Sequence, residues 1–252
     1  MQCLAACAAA AALYAPQAAV SPTTYQETIP GTLVRFEMTP VPGGGTGSAA
    51  GAVAPFYLGR TEVTWDMYDV FALGLDGKTP EGAPDAVARP SRPYGAPDYG
   101  WGHAGYPAIS IAREAADAYV AWLSKATGRR YRLPTEAEWE HAAGLAAAGV
   151  ALGDVAWHRG DANARTHPVG AKRADALGLF DLFGNAAEWV VAADGGRVTR
   201  GGSFRDPLDR LGPSARAVQD EAWNERDPQL PKSQWWLSDG PFVGFRVARS
   251  IE

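Results

Sequence analysis

The segment from Asp220 to Asp239 gathers the side chains best suited to chemistry: Asp220, Glu221, Trp223, Asn224, Glu225, Arg226 and Asp227, then Trp235, Trp236 and Asp239. A carboxylate that loses water beside a cleft can act as a general base, which makes Glu221, Glu225 and Asp239 the catalytic candidates. Indole rings on an irregular loop can stack on a sugar or an extended peptide, so Trp223, Trp235 and Trp236 are substrate-binding candidates. Of the adjacent pair Trp235 and Trp236, one ring is expected in the core and one at the surface. Arg205 and Arg226 can anchor a carboxylate or sulfate through bidentate bonds. Ser203 follows the paired glycines of Arg200-Gly201-Gly202, a place where backbone either approaches a ligand or simply bends.

Metal chemistry narrows quickly. The stretch Asp181-Leu182-Phe183-Gly184-Asn185-Ala186-Ala187-Glu188 has side-chain oxygens at both ends and a Gly-Asn turn between them, and such a loop can curl carbonyls around a hard cation. The two cysteines are Cys3 and Cys7, so the rest of the chain offers no thiolate for a disulfide, a zinc site or a nucleophile. His103, His141, His158 and His167 show no close pair at helical or strand spacing. An iron site would have to assemble from distant loops and is not expected.

These residues need a frame. The 252 residues are 46% hydrophobic and 20% charged, enough apolar material for one substantial core, while 29 glycines and 19 prolines argue against long helices. Lys and Arg number 23 against 28 for Asp and Glu, and no basic block could track a phosphate backbone, which excludes nucleic acid as a partner. Alternation predicts strands over Gly31 to Met38 and Phe56 to Leu58, and Thr64 can cap a helix from Trp65 to about Leu73. Asp76 to Tyr106 reads as a long functional loop. Ser110 is the expected N-cap of a helix from Ile111 to Ala126 that Thr127-Gly128 ends, and Thr135 with Glu138 forms a capping box for a helix through Ala143. Short apolar runs follow at Gly178 to Val190, Arg197 to Phe204 and Phe242 to Ala248. Arg246 sits between apolar neighbours and needs a carboxylate if buried; Glu62 is one possible partner. The pattern is a single irregular α+β domain.

Residues 1–22 stand apart. No charge occurs from Met1 to Pro22, and the apolar run Leu4 to Tyr14 reads as the core of a signal peptide, too short to span a bilayer. Leu4-Ala5-Ala6-Cys7 also resembles a lipoprotein signal that would make Cys7 a lipid anchor. Both readings imply export to the periplasm, the cell surface or the medium, without a transmembrane span.

Six local blocks occur in order: Tyr57-Leu58-Gly59-Arg60-Thr61-Glu62-Val63-Thr64, Tyr106-Pro107-Ala108-Ile109-Ser110, Tyr131 to Glu140 (YRLPTEAEWE), Gly184-Asn185-Ala186-Ala187-Glu188-Trp189, Arg200-Gly201-Gly202-Ser203-Phe204 and Gly244-Phe245-Arg246-Val247-Ala248. Together they resemble the sulfatase-modifying-factor family, the formylglycine-generating-enzyme-like proteins. The resemblance, over residues 31–250, implies an irregular C-type-lectin-like fold with little regular secondary structure. It implies one structural calcium held by the side chains of Asp181 and Glu188 and the carbonyls of Gly184 and Ala186, and a substrate groove walled by the 220–239 region. It also implies that formylglycine generation needs a copper-binding cysteine pair shortly before the Gly-Phe-Arg block. Those positions fall near Leu237 and Phe242, so neither copper nor formylglycine generation is expected. What remains is oxidative modification or maturation of a peptide or peptide-derived substrate, or a non-catalytic lectin-like module that binds a protein, peptide or glycan. A monomer is expected.

Overall fold

The computed structural model describes residues 22–45, 52–77, 90–91 and 95–251. The apolar run Leu4 to Tyr14, Cys3 and Cys7 lie outside the described residues, as do parts of the Asp76 to Tyr106 loop. The elements are β1 (Tyr25–Thr28), β2 (Arg35–Val41), β3 (Phe56–Gly59), α1 (Trp65–Ala72), α2 (Arg113–Thr127), β4 (Tyr131–Arg132), α3 (Glu136–Ala146), α4 (Leu152–Val155), β5 (Ala187–Val191), β6 (Arg197–Arg200), β7 (Arg216–Val218), β8 (Val243–Gly244) and β9 (Ala248–Ser250). The architecture is mixed α+β with short elements and long irregular connections.

Two sheets organise it. One has the order β1-β2-β3-β9-β4, so the last strand of the chain lies between β3 and β4; the other has the order β7-β6-β5-β8. The strand expected over Gly31 to Met38 begins only at Arg35. Before it, the Ile29 N–H donates to the Val34 carbonyl at 3.0 Å, and Gly31 takes a φ of +82° in the turn. This turn joins β2 to β1, whose alternation of half-buried and exposed residues is too polar to mark it as a strand.

The helices follow their local signals at three ends and depart at one. Gly128, with φ of +71°, ends α2 in the left-handed conformation that glycine adopts freely. Thr135 accepts the Glu138 N–H at 3.1 Å while Glu138 Oε2 accepts the Thr135 N–H at 2.8 Å, completing the capping box of α3. Thr64 holds the N-cap position of α1 without a side-chain cap bond. Ser110 is not the cap of α2, which starts at Arg113 behind Ala112. Ser110 is instead buried at φ of +60°, and its carbonyl accepts the Leu237 N–H at 2.8 Å, so a tertiary contact displaces the helix start.

Aromatic rings fill the core where regular structure is scarce. Tyr68, Phe71, Tyr119 and Phe245 pack with ring centroids 5.3–6.3 Å apart between α1 and α2, near the range favoured by edge-to-face contacts. A second cluster places Trp139 of α3 against Phe183, with Phe56 and Leu58 of β3.

Candidate functional site

Four of the six sequence blocks converge on a buried ionic centre. Arg246 and Glu188 are both fully buried: Arg246 Nε donates to Glu188 Oε1 and Oε2 at 2.7 and 2.8 Å, and Nη2 lies 2.6 Å from Oε1. Glu62, offered by sequence as the partner of Arg246, is not in that ion pair. It binds the Gly184-Asn185-Ala186 turn, accepting the Ala186 N–H at 3.0 Å and the Asn185 side-chain amide at 3.1 Å. The remaining Arg246 donors reach the carbonyls of Gly59 and Phe180, each at 2.9 Å, and Trp139 Nε1 donates to Glu188 Oε2 at 2.9 Å. Gly184 is required at the turn, since its φ is +76° and a Cβ would stand 2.1 Å from the Trp157 carbonyl oxygen.

Charge in this centre is not balanced by Arg246 alone. Burial first, then the charges of Asp181 and Glu188, push Glu62 well above the usual carboxylate range. Burial also raises Glu188, against the opposing pull of Arg246.

The expected calcium ligands divide into two kinds. Asp181 is buried at φ of +53°; its Oδ2 accepts the Gly170 N–H at 2.7 Å, whereas its Oδ1 has no partner, so this oxygen fits a cation. Glu188 does not fit in the same way, because both its oxygens are committed to Arg246 and Trp139. The full ligand set read from the resemblance is therefore not assembled by this arrangement.

The substrate-side candidates separate into three depressions rather than one groove. Trp236 and Arg226 line a pocket of about 310 Å³ with Tyr99, Ser110, Asp227 and Ser238. Glu221 and Glu225 line an open hollow of about 760 Å³ with Glu114, Arg197 and Lys232. Ser203 and Arg205 line a third, of about 680 Å³, with Thr199, Arg210, Arg216 and Phe242. Trp223 and Trp235 are buried in the core and do not wall a groove; Trp223 packs 5.9 Å from Trp189 and 5.1 Å from Phe242. Trp236 remains half-buried at its pocket. Leu237 is buried in the core, and Phe242 packs beneath Arg205.

None of the three catalytic candidates has the desolvated setting a tuned base requires. Glu221 and Glu225 are exposed. Asp239 accepts the Arg226 backbone N–H at 2.8 Å and the Ser238 hydroxyl at 2.6 Å, and is ion-paired with the Arg226 guanidinium. Burial opposes its ionisation, but these donors outweigh it and hold the carboxyl at about 2, so it is a weak base.

Sequence reasoning missed Tyr99, whose hydroxyl donates to the Ser238 carbonyl at 3.1 Å and whose ring stacks on Trp101 at 5.1 Å. It also missed the group that anchors this loop. His103 lies between Asp98 and Asp69, at 2.9 and 2.8 Å, and stacks on Trp65 with centroids 5.2 Å apart. The other histidines have separate duties. His141 bonds the Pro42 carbonyl, His158 lies near Asp161, and His167 stacks on Trp157 at 3.8 Å.

A family model for the sulfatase-modifying factor enzyme 1-like domain matches residues 35–251. The chain belongs to this family. A formylglycine-generating enzyme of Mycobacterium tuberculosis is 36% identical over 107 residues, which cover 35% of the chain and 34% of that relative. The chain thus matches about a third of that protein's length. Among solved structures, Treponema denticola variable protein 1 superposes with a TM-score of 0.62 at 20% identity, covering 92% of this chain and all of that one. PvdO from Pseudomonas aeruginosa gives 0.59 at 24%, covering 89% of this chain and all of that one. At these identities the likeness establishes the shared fold.

Two predictions follow from the centre and the loop. Replacing Arg246 by Met strands a buried carboxylate, so Arg246→Met should lose about 3–5 kcal/mol in urea unfolding, and adding Glu188→Gln should restore part of that loss. A cost below about 1 kcal/mol would show that the pair is dispensable. For His103, burial lowers the ring pKa, but the hydrogen bonds and charges of Asp69 and Asp98 outweigh it and raise the ring above 6.5. Its contribution to loop stability is therefore fully present below 6.5 and lost as pH rises through the higher folded value. NMR titration of His103 should show that raised midpoint, and Asp69→Asn should lower it; an unchanged midpoint in the variant would contradict the assignment.

Proposed function

We propose that this family domain works after export as a binding module for a peptide or peptide-derived ligand, with an aromatic or apolar part of the ligand seated in the pocket of about 310 Å³. The observation that supports this reading is the make-up of that pocket. Tyr99 and Trp236 supply ring surface, each with its polar end bonded to backbone: Tyr99 to the Ser238 carbonyl and Trp236 Nε1 to the Ser91 carbonyl at 2.7 Å. Rings tethered in this way offer stacking area at little entropic cost, while Arg226, Asp227 and the hydroxyls of Ser110 and Ser238 give polar contacts at the edge. The uncharged, apolar N-terminal stretch supports export.

Oxidative modification or maturation of the bound peptide is the second reading. Membership of a family that includes formylglycine-generating enzymes favours it. Against it stand the absence of cysteine from residues 8–252 and the settings of Glu221, Glu225 and Asp239. One structural calcium is likewise proposed, resting on the unpartnered Oδ1 of Asp181.

A display screen for peptide ligands, followed by calorimetry, separates the readings. Tyr99→Ala should weaken a selected peptide about tenfold, as loss of a stacking ring does, and Trp236→Ala should do the same. Because Trp236 also packs on Tyr68 at 6.0 Å, the exposed Tyr99 gives the cleaner result. Failure to select any peptide, or unchanged affinity in Tyr99→Ala, would remove the pocket proposal, whereas a mass change in the bound peptide would establish modification. For calcium, the melting temperature should be higher in calcium than in chelator, and Asp181→Asn should abolish the difference. Equal melting of the natural protein in both would eliminate the ion.

A further inference from the structure

The hollow beside β5, β6 and β7 has features that the peptide pocket does not explain. Arg205, Arg210 and Arg216 all line its volume of about 680 Å³. Arg216 is engaged, since its Nε donates to Glu136 Oε1 at 2.7 Å. The guanidinium of Arg205 has no carboxylate partner among the described residues, and neither has that of Arg210. Arg205 instead lies 4.7 Å from the centroid of Phe242 and 5.6 Å from that of Phe204, its planar face over apolar rings. Partial burial lowers its pKa, against the opposing pull of Tyr99, Asp206 and Asp239.

A second observation comes from the floor of the hollow. Thr199 of β6 is 1% exposed, lines the hollow, and its hydroxyl has no hydrogen-bond partner. A buried hydroxyl without a partner costs stability unless something else satisfies it. Two carboxylates also face the hollow. Asp206 Oδ2 is occupied by the Ser203 N–H at 2.8 Å and the Ser203 hydroxyl at 3.1 Å, and Asp209 lies exposed on the following turn.

We propose that this hollow binds the oxyanion of a small organic acid, a carboxylate or a phosphate ester, through the guanidinium of Arg205 and the hydroxyl of Thr199, with Arg210 adding charge at the mouth. The planar fork of a guanidinium matches both oxyanions, and the hydroxyl supplies a further donor. Phe242 forms the apolar side, against which the organic part of the ligand packs. Neither Tyr99 nor Trp236 lines this hollow, so a ligand held here does not occupy the peptide pocket.

Calorimetry with phenyl phosphate, benzoate and the neutral benzamide tests this on the natural protein, on Arg205→Gln and on Thr199→Val. At least one of the two anions should bind and benzamide should not; Arg205→Gln should weaken that anion about tenfold and Thr199→Val severalfold. Binding of phenyl phosphate alone identifies a phosphate site, binding of benzoate alone a carboxylate site, and binding of both a general oxyanion site. Binding of neither anion, or binding that Arg205→Gln does not alter, overturns the proposal. Thr199→Val removes an unpaired buried hydroxyl, so its melting temperature should hold or rise; should that variant fail to fold, the exposed Arg205→Gln still decides the outcome.

Discussion

The pair between Glu188 and Arg246 is the contact through which the separate parts of the molecule meet. Glu188 belongs to β5 of the four-stranded sheet, while Arg246 lies between β8 and β9 and reaches the Gly59 carbonyl of β3 in the other sheet. Trp139 joins α3 to the same carboxylate, and the Phe180 carbonyl joins the turn that precedes Gly184. A buried ion pair gains little net free energy over a well-packed apolar substitute, because both charges lose water. Its effect here is geometric: a guanidinium and a carboxylate with several fixed directions hold two sheets, a helix and a turn in one arrangement.

That constraint explains why the domain can have so little regular structure. Strands of two to seven residues and helices of at most fifteen cannot define a fold by backbone pairing alone. The order comes from side chains, through rings packed at 5–6 Å around Tyr68 and Tyr119 and through indole N–H groups tied to specific acceptors, as Trp189 is to the Ile111 carbonyl at 2.8 Å. Loops fastened at such points can be long and still hold residues in place. Residues 95–105 show this, with Tyr99 bonded to Ser238 and His103 set between two aspartates.

The recurrent blocks of the family therefore fall mostly in the scaffold. The Asn185 turn, Glu62, Trp139, Glu188 and Arg246 interact with one another and not with the pockets proposed to bind ligands. Membership of the family accordingly establishes the frame, while Tyr99, Trp236, Arg205 and Thr199 lie apart from the buried centre. The two proposed binding surfaces, one aromatic and one cationic, can coexist on such a frame because neither draws on the buried centre.

Much of this was legible in the sequence where the cause is local. The capping box at Thr135, the stop at Gly128 and the α+β character depend on neighbouring residues alone, and the order of the six blocks fixed the family. Sequence also showed that Arg246 needs a carboxylate, because a guanidinium among apolar neighbours has few alternatives. Which carboxylate it takes was decided by three-dimensional placement: the register of β5 aims Glu188 at Arg246 and leaves Glu62 to the turn. In the same way, Ser110 has the residue type of a cap but serves a distant loop, and Trp235 differs from Trp236 only by the side of the chain on which each ring falls. Composition could gather acids and tryptophans into one suspected groove; the fold separated them into two hollows and a core, since which residues share a surface depends on how remote segments pack and not on how close they stand in the chain.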